Sequence, residues 1–187
     1  MRLSTACFLA LSCLSLTSGA SWAQTTPPGD YFDPKNRQLM VNLKRFHLDL
    51  AHDFFAHRKL DQAQSEVNFI LKYAPNHPEA LLLNEGIAKS RNLPEAALIR
   101  YIQALKAYPQ HAITHEQFGA YLLDLGRVDA AVDSLSAAIQ LNPRLGVAHA
   151  YLAKAYRVKG DLERAAAEEA EARKDGFPGP PDDVQAR

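Results

Sequence analysis

Cysteine is nearly absent from this chain, and neither charge sign is in excess. The two thiols among 187 residues are Cys7 and Cys13, so the rest of the chain can form neither an internal disulfide nor a Cys-ligated metal site. The 21 basic side chains balance 21 acidic ones. Nucleic acids and anionic membrane surfaces attract proteins with a basic surface, so this balance argues against both as partners.

Long apolar runs are also missing. Residues 6–16 are mostly apolar, follow Arg2, and lead to small residues that end at Ala23. This three-part order predicts a secretory signal over residues 1–23, cleaved after Ala23. The run falls short of the roughly 18 apolar residues that a transmembrane helix requires. We expect an exported protein without a transmembrane segment, located in the bacterial periplasm.

A lipid attachment site at Cys13 is the alternative interpretation of this N-terminal segment. Bacterial lipoproteins carry a box of small residues just before the modified cysteine. Here residues 10–12 are Ala-Leu-Ser, a poor match, and the apolar run continues past Cys13. The sequence therefore favours simple cleavage over lipidation.

A period of 34 residues follows this segment. Pro75, Pro109 and Pro143 each come after a helical-looking run and are spaced by 34 residues. An alanine stands twelve residues before each proline and once more a period later, and an acid precedes each alanine by two. These columns are Ala63, Ala97, Ala131 and Ala165, and Asp61, Glu95, Asp129 and Glu163. Alanine permits close helix contact, the acid faces a helix N-terminus and proline ends a helix, so each period predicts helix, turn, helix.

These columns resemble the tetratricopeptide repeat, a family of 34-residue helix-turn-helix units. The resemblance implies an all-α fold, a right-handed α-solenoid of antiparallel helix pairs. Ala51, Gly119 and Ala153 occupy the family's small position in the first helix of a unit. The predicted organisation is a signal (1–23), a flexible linker (24–33), a repeat domain (34–177) with units 44–77, 78–111, 112–145 and 146–179, and a flexible tail (178–187).

The second unit departs from the pattern in its first helix. Asn84 and Glu85 replace the usual large and small pair, and Gly86 follows at once. A glycine inside a helix costs roughly 1 kcal/mol relative to alanine. We therefore expect any distortion of the repeat to occur in this unit.

The histidines are the most obvious candidates for chemistry. His111 and His115 are four residues apart and Glu116 follows, as in some zinc sites. Five of the seven histidines, however, fall in two repeat columns, namely His47, His115 and His149, and His77 and His111. No Gly-rich phosphate loop or other catalytic motif is present. We predict a protein that is not an enzyme and has no metal and no cofactor.

The inner face of the stacked helices is the remaining candidate site. In this family it is built from the first helix of each unit, and exposed apolar patches usually mark binding surfaces. The predicted groove residues are Arg45, Leu48, Asp49, His52, Phe55, Leu82, Leu83, Lys89, Ile113, Gln117, Ala120, Leu123, Val147, Tyr151, Lys154 and Arg157. A peptide or an amphipathic helix of a partner is the expected ligand. The alternative is that Leu82 and Leu83 turn inward and leave a narrower, more polar groove.

The sequence thus predicts a protein-protein interaction adaptor of the cell envelope. The resemblance implies roles such as pilus, secretion or cytochrome assembly. Two alternatives remain open. One is an accessory subunit of an envelope enzyme with a histidine-based metal site. The other is a self-associating structural protein that forms a homodimer through its first helix, expected at about residues 35–56, where apolar residues cover more than one stripe.

Overall fold

The computed structural model describes residues 28–177, and these residues form helices with no strand among them. The predicted signal, both cysteines and the C-terminal tail lie outside the described residues. A 3-10 turn at Pro34–Asn36 opens the fold, and the Asp33 carboxylate caps it by accepting a hydrogen bond from the Lys35 N–H at 2.9 Å. Within residues 28–177, no helix has the length and apolar character needed to cross a bilayer.

The first long helix contains a π-helical turn. It consists of α1 (Arg37–Leu43), the π-turn Lys44–Leu48 and α2 (Asp49–Ala56), which follow one another without a break. The extra residue in such a turn rotates the side chains that follow relative to those before. The apolar residues of α1 and α2 therefore point in different directions, which explains why they cover more than one stripe.

The other seven helices alternate along the chain with short turns. They are α3 (Leu60–Tyr73), α4 (Pro78–Ser90), α5 (Leu98–Ala107), α6 (Ala112–Asp124), α7 (Val128–Leu141), α8 (Gly146–Val158) and α9 (Leu162–Lys174). A 3-10 turn at Pro94–Ala97 precedes α5. Each predicted unit thus contains one pair of packed helices, and the all-α prediction is confirmed. Below, α2, α4, α6 and α8 are called the A helices, and α3, α5, α7 and α9 the B helices.

The turn from A helix to B helix uses the same backbone conformation in every unit. Arg58, Asn92, Gly126 and Gly160 stand 34 residues apart, and their φ angles are 61°, 57°, 73° and 77°. This left-handed conformation favours glycine because a Cβ crowds the backbone. The first two units adopt it without glycine.

The repeated alanines lie at the contact between the helices. Ala63, Ala97 and Ala131 are fully buried, and Ala165 is 2% exposed. Gly119 marks an even closer approach in the third unit, since a Cβ there would lie 2.6 Å from Leu135 Cγ. The buried residues therefore form one continuous core along the stack, with small residues at the closest helix contacts.

The second unit is regular where we expected distortion. Helix α4 runs unbroken through Gly86, and the Phe55 ring fills the space beside it, since a Cβ there would lie 3.1 Å from Phe55 Cζ. The irregularity lies instead at the start of the second helix of this unit, where Pro94–Ala97 form a 3-10 turn.

Residues 28–33 correct the prediction of a flexible linker over residues 24–33. This segment, which we call the strap, runs along the ends of α3 and α5. The Asp30 carboxylate accepts hydrogen bonds from Asn76 Nδ2 at 2.7 Å and from His111 Nε2 at 2.8 Å. Phe32 stacks on His111, and the Tyr31 N–H donates to Asn76 Oδ1. Proline and glycine suggested flexibility, but side chains distant in sequence hold this part in place.

Candidate functional site

The A helices form one continuous face. Helix α4 packs on α6, and α6 packs on α8, whereas no comparable contact joins α5 to α7 or α7 to α9 within residues 28–177. Closer spacing of the A helices than of the B helices places the A helices on the inner side of the stack. The predicted groove residues all belong to this inner row or to the π-turn that precedes α2.

Twelve of the sixteen predicted groove residues are accessible. Seven are exposed, namely Arg45, Asp49, His52, Leu82, Lys89, Ile113 and Arg157, and five are half-buried, namely Phe55, Ala120, Val147, Tyr151 and Lys154. Their apolar members provide at least one accessible side chain on each A helix. The structure therefore brings these residues to one face, as the repeat register requires.

The other four groove residues belong to the interior. Leu48, Leu83, Gln117 and Leu123 are between 1% and 8% exposed. Leu48 lies in the π-turn, which packs on α3, and the other three lie on α4 and α6, which pack on each other. Of the pair Leu82 and Leu83, only Leu83 turns inward, and Leu82 remains 49% exposed.

Polar side chains surround the accessible apolar residues. Lys89 Nζ on α4 lies 2.8 Å from Asp124 Oδ2 on α6, so this ion pair joins neighbouring A helices. Lys154 Nζ lies 5.9 Å from the centroid of the Tyr151 ring. An apolar centre with a polar rim is the common anatomy of protein interaction surfaces.

Two carboxyl groups that are not among the predicted groove residues, Glu85 and Glu116, lie beneath this face. Burial raises the pKa of Glu85 to about 7, although a hydrogen bond from the Tyr101 hydroxyl opposes the rise. Burial, and then the charge of Glu85, raise the pKa of Glu116 to about 7 as well. Glu116 is 8% exposed and forms no hydrogen bond through its side chain to any residue of the described part. The available signal for Glu85 was its place in the column that otherwise holds Ala51, Gly119 and Ala153.

Comparison with protein-family models decides the family. The model described as tetratricopeptide repeat matches residues 88–144 and 116–181, which together span 88–181, or just over half of the chain. The chain belongs to the tetratricopeptide repeat family. The predicted fold, a solenoid of antiparallel helix pairs, is therefore confirmed.

Solved tetratricopeptide repeat structures share this fold. One structure of MamA is 21% identical, with a TM-score of 0.56, over 72% of this chain and 74% of that one. Pseudomonas aeruginosa PilF is 17% identical, with a TM-score of 0.60, over 73% of this chain and 62% of that one. YrrB, a repeat protein with an unusual peptide-binding site, is 17% identical, with a TM-score of 0.54, over 67% and 65%. No curated protein matches the sequence.

The histidine columns of these tetratricopeptide repeats have structural partners. His47 lies in the π-turn before α2 and His149 lies in the first turn of α8. Their Nδ1 atoms lie 2.7 Å and 2.6 Å from carboxylates on the following B helix, Glu66 and Glu168. Each histidine thus ties together the two helices of its own unit. The column therefore has a packing role that a sequence comparison among units can detect.

His111 and His115 do not form a pair of metal ligands. His111 Nε2 contacts the strap carboxylate Asp30, whereas His115 Nε2 lies 2.8 Å from the carbonyl oxygen of Pro109. Within the described range, no group of three or more His, Cys, Asp or Glu side chains is arranged to hold a metal ion.

Proposed function

We propose that this tetratricopeptide repeat protein is a non-catalytic adaptor that binds a peptide or an amphipathic helix of another protein on the inner face of its A helices. The observation that carries the proposal is the row of accessible apolar side chains on successive A helices. Leu82 is 49% exposed and Ile113 is 37% exposed, and the half-buried Phe55 and Tyr151 extend the row on both sides. A helix or extended peptide buries such a row efficiently. The peptide-binding site of YrrB supports a peptide as the class of ligand.

Charge substitution on this face tests the proposal. Replacing Leu82 and Tyr151 with lysine places two charges in the apolar row, and burying an unpaired charge is costly. We expect at least a tenfold loss of partner recovered by crosslinking and mass spectrometry from the native envelope. Ile102→Lys is the matched control, because Ile102 is 56% exposed on the B helix α5. If the wild type, the double variant and the Ile102→Lys control recover equal amounts of partner and have the same melting temperature, the inner face is not the binding site.

The location in the cell envelope is part of the same proposal. It rests on the three-part signal pattern of residues 1–23. We expect the protein in the periplasmic fraction with Gln24 as its first residue, as N-terminal sequencing of the isolated protein would show. A full-length protein in the cytosolic fraction would contradict this part and leave the binding face untouched. Pilus, secretion and cytochrome assembly are the envelope processes in which we would look for the partner.

Self-association through the first helix is a second candidate, favoured by a separate apolar surface. Phe46 is 56% exposed, Phe69 40% and Tyr73 39%, and together with α1 they line a cleft of about 240 Å³. We propose a second copy of the chain as its occupant. Light scattering tests this directly, and a dimer converted to monomer by Phe46→Glu and Phe69→Glu would support it. A monomeric wild-type protein at high concentration would contradict it.

A further inference from the structure

The second unit carries a buried amide where the other units carry a large apolar residue. Asn84 is 5% exposed and takes the place held by Leu50, Phe118 and Leu152. Buried polar groups are normally hydrogen-bonded, since leaving them without partners is costly. Asn84 Oδ1 accepts a hydrogen bond from Gln64 Nε2 at 3.0 Å. In the described part of the chain its Nδ2 atom donates to no protein group.

A cleft opens beside this amide. It lies between α3, α4 and α5, has a volume of about 410 Å³, and is lined by side chains that include Gln64, Asn68, Asn84, Ile99, Arg100 and Gln103. Pockets for small ligands commonly measure about 300–1,000 Å³. A helix residue the size of leucine at position 84 would extend toward this space. The 3-10 turn Pro94–Ala97, which precedes α5, lies at the edge of this cleft.

Arg100 supplies a positive charge that uncharged amides hold in place. Its Nη2 donates to Asn68 Oδ1 at 2.5 Å and its Nη1 donates to Gln103 Oε1 at 3.1 Å. Arg91, which also lines the cleft, and Arg127, which lies outside it, instead face carboxylates at 2.6 Å, namely Asp61 and Glu95. Among residues 28–177, no carboxylate forms an ion pair with Arg100. The guanidinium is therefore oriented by its neighbours and left without a counter-charge.

Asn68 and Asn84 use their amide oxygens in hydrogen bonds and leave their nitrogens available. Gln64 Nε2 donates to both Asn68 Oδ1 and Asn84 Oδ1, at 3.2 Å and 3.0 Å. Asn68 Oδ1 thus accepts from two donors. The donors that remain for a ligand are the Nδ2 atoms of Asn68 and Asn84 and the guanidinium, and Gln64 Oε1 is an acceptor that no protein donor uses in the described part. A ligand that matches the donors accepts hydrogen bonds and carries negative charge.

The rim of the cleft is aliphatic. Leu93 and Ile99 are each 60% exposed beside it. We propose that the cleft between α3, α4 and α5 binds a carboxylate carried by an aliphatic group, with Arg100 as the cation and Asn68 and Asn84 as hydrogen-bond donors. The C-terminal carboxylate of a polypeptide that ends in leucine and a free branched-chain acid share this chemistry. The site involves B helices and is separate from the inner face of the A helices.

Calorimetric titration of the purified protein tests the carboxylate requirement. The probes are a tripeptide Ala-Ala-Leu with a free C-terminus, the same peptide with a C-terminal amide, isovalerate and inorganic phosphate. We expect the free peptide to bind at least tenfold more tightly than its amide. If isovalerate binds as tightly as the free peptide, the site is assigned to free acids. If isovalerate binds more weakly than the free peptide, the site is assigned to polypeptide C-termini. Equal binding of the amide, tighter binding of phosphate, or no binding of either carboxylate at millimolar concentration would overturn the proposal.

Variants separate the site from general effects on the protein. Arg100→Gln removes the charge and should weaken binding of the free peptide at least tenfold. Arg127→Gln, which removes an exposed arginine outside the cleft, should leave that affinity unchanged. Asn84→Leu restores the apolar residue of the repeat column and should abolish binding while the fold is retained. Unchanged affinity in folded Arg100→Gln or Asn84→Leu protein would refute the site, whatever the result for the inner face.

Discussion

At the scale of single residues, the contacts of this protein depend on side-chain size at a few repeat positions. Gly119 occupies the small position of the third unit, and a Cβ there would lie 2.6 Å from Leu135 Cγ and 3.2 Å from the Ala131 carbonyl oxygen. Ala51 and Ala153 fill the same column in other units and are fully buried. The same column therefore tolerates alanine in two units and requires glycine in the third, because Leu135 approaches more closely.

We predict that Gly119→Ala destabilises the protein despite the higher helix propensity of alanine. Alanine gains roughly 1 kcal/mol in an exposed helix, but overpacking a tight contact costs about 1–3 kcal/mol. Urea unfolding should show a net loss. Gly86→Ala is the control, since its nearest neighbour is a Phe55 ring atom at 3.1 Å that can move. A Gly119→Ala protein more stable than the wild type would contradict this account.

The buried carboxyls predict a dependence of stability on pH. The pKa values of Glu85 and Glu116 are raised by burial to about 7, from an ordinary value of 4.5. Between pH 4.5 and 7 the folded protein therefore binds more protons than the unfolded chain, and stability falls as the pH rises through this window. We expect Glu116→Gln to raise the melting temperature at pH 8 by about 2–6 °C and to change it little at pH 4.5.

A surface carboxyl provides the control for this pH experiment. Glu163 is exposed in the first turn of α9, and Glu163→Gln should not reproduce the gain at pH 8. The variants are needed because His149 adds a dependence of the same sign. Burial alone would lower the pKa of His149, but hydrogen bonding to Glu168 raises it, so its contribution is present below pH 6.5 and lost as the pH rises. An equal pH profile for wild type and Glu116→Gln would contradict the assignment.

At the scale of elements, the turns between the two helices of each unit share one backbone conformation, although the residues that adopt it differ. Arg58 and Asn92 adopt the left-handed conformation that Gly126 and Gly160 adopt in later units. Arginine lacks the local hydrogen bonding that helps asparagine tolerate this region. The first turn is thus the most strained of the four.

Arg58→Gly should stabilise the protein by about 0.5–1 kcal/mol, because glycine removes the Cβ conflict. The gain is limited because glycine also makes the unfolded chain more flexible. Asn92→Gly should gain less, and Gly126→Arg should lose about 1 kcal/mol. Thermal unfolding of the three variants checks the order. A destabilised Arg58→Gly protein would show that the Arg58 side chain makes a contribution beyond its backbone conformation.

The strap is held in place by its tertiary contacts and not by an intrinsic preference for a secondary structure. Burial alone would raise the pKa of Asp30, but hydrogen bonds from Asn76, the Phe32 N–H and His111 hold it below its ordinary value. Asn76 is fully buried beneath it. The strap therefore joins the segments that follow α3 and α5 along one edge of the first two units.

At the scale of the whole molecule, a solenoid is a chain of nearest-neighbour contacts. The described residues differ in how much each helix buries. Helix α6 has seven buried residues, whereas the last helix, α9, has only Ala165 and Ala172. Stability should therefore vary along the stack instead of being uniform.

Hydrogen exchange should reveal this gradient. We predict that the backbone amides of α6 and α8 exchange most slowly, because these helices have seven and eight buried residues. Those of α9 should exchange at least tenfold faster, because opening of α9 exposes only two buried alanines. Mass spectrometry of peptides from each helix measures this directly. The control is α7, which has four buried residues and packs on both α6 and α8, and should be intermediate. Uniform protection along the chain would indicate a single cooperative unit.

The sequence by itself determined the repeat, the helix pairs and the family. Each of these depends on a local pattern that recurs, as the alanine column from Ala63 to Ala165 does, and recurrence is visible without coordinates. It also placed the sixteen groove residues on one row of helices, because the register of a helix fixes which positions share a side.

Only the tertiary structure decided which of these residues remain accessible and which partners the residues that depart from the repeat pattern contact. Leu83 and Gln117 are buried because neighbouring A helices pack over them, and spacing within one unit does not report contact between units. The strap depends on contacts between residues as distant as Asp30 and His111. The departures at Asn84 and Glu85 are likewise visible in the sequence, but their partners, Gln64 and Tyr101, are brought to them by other helices.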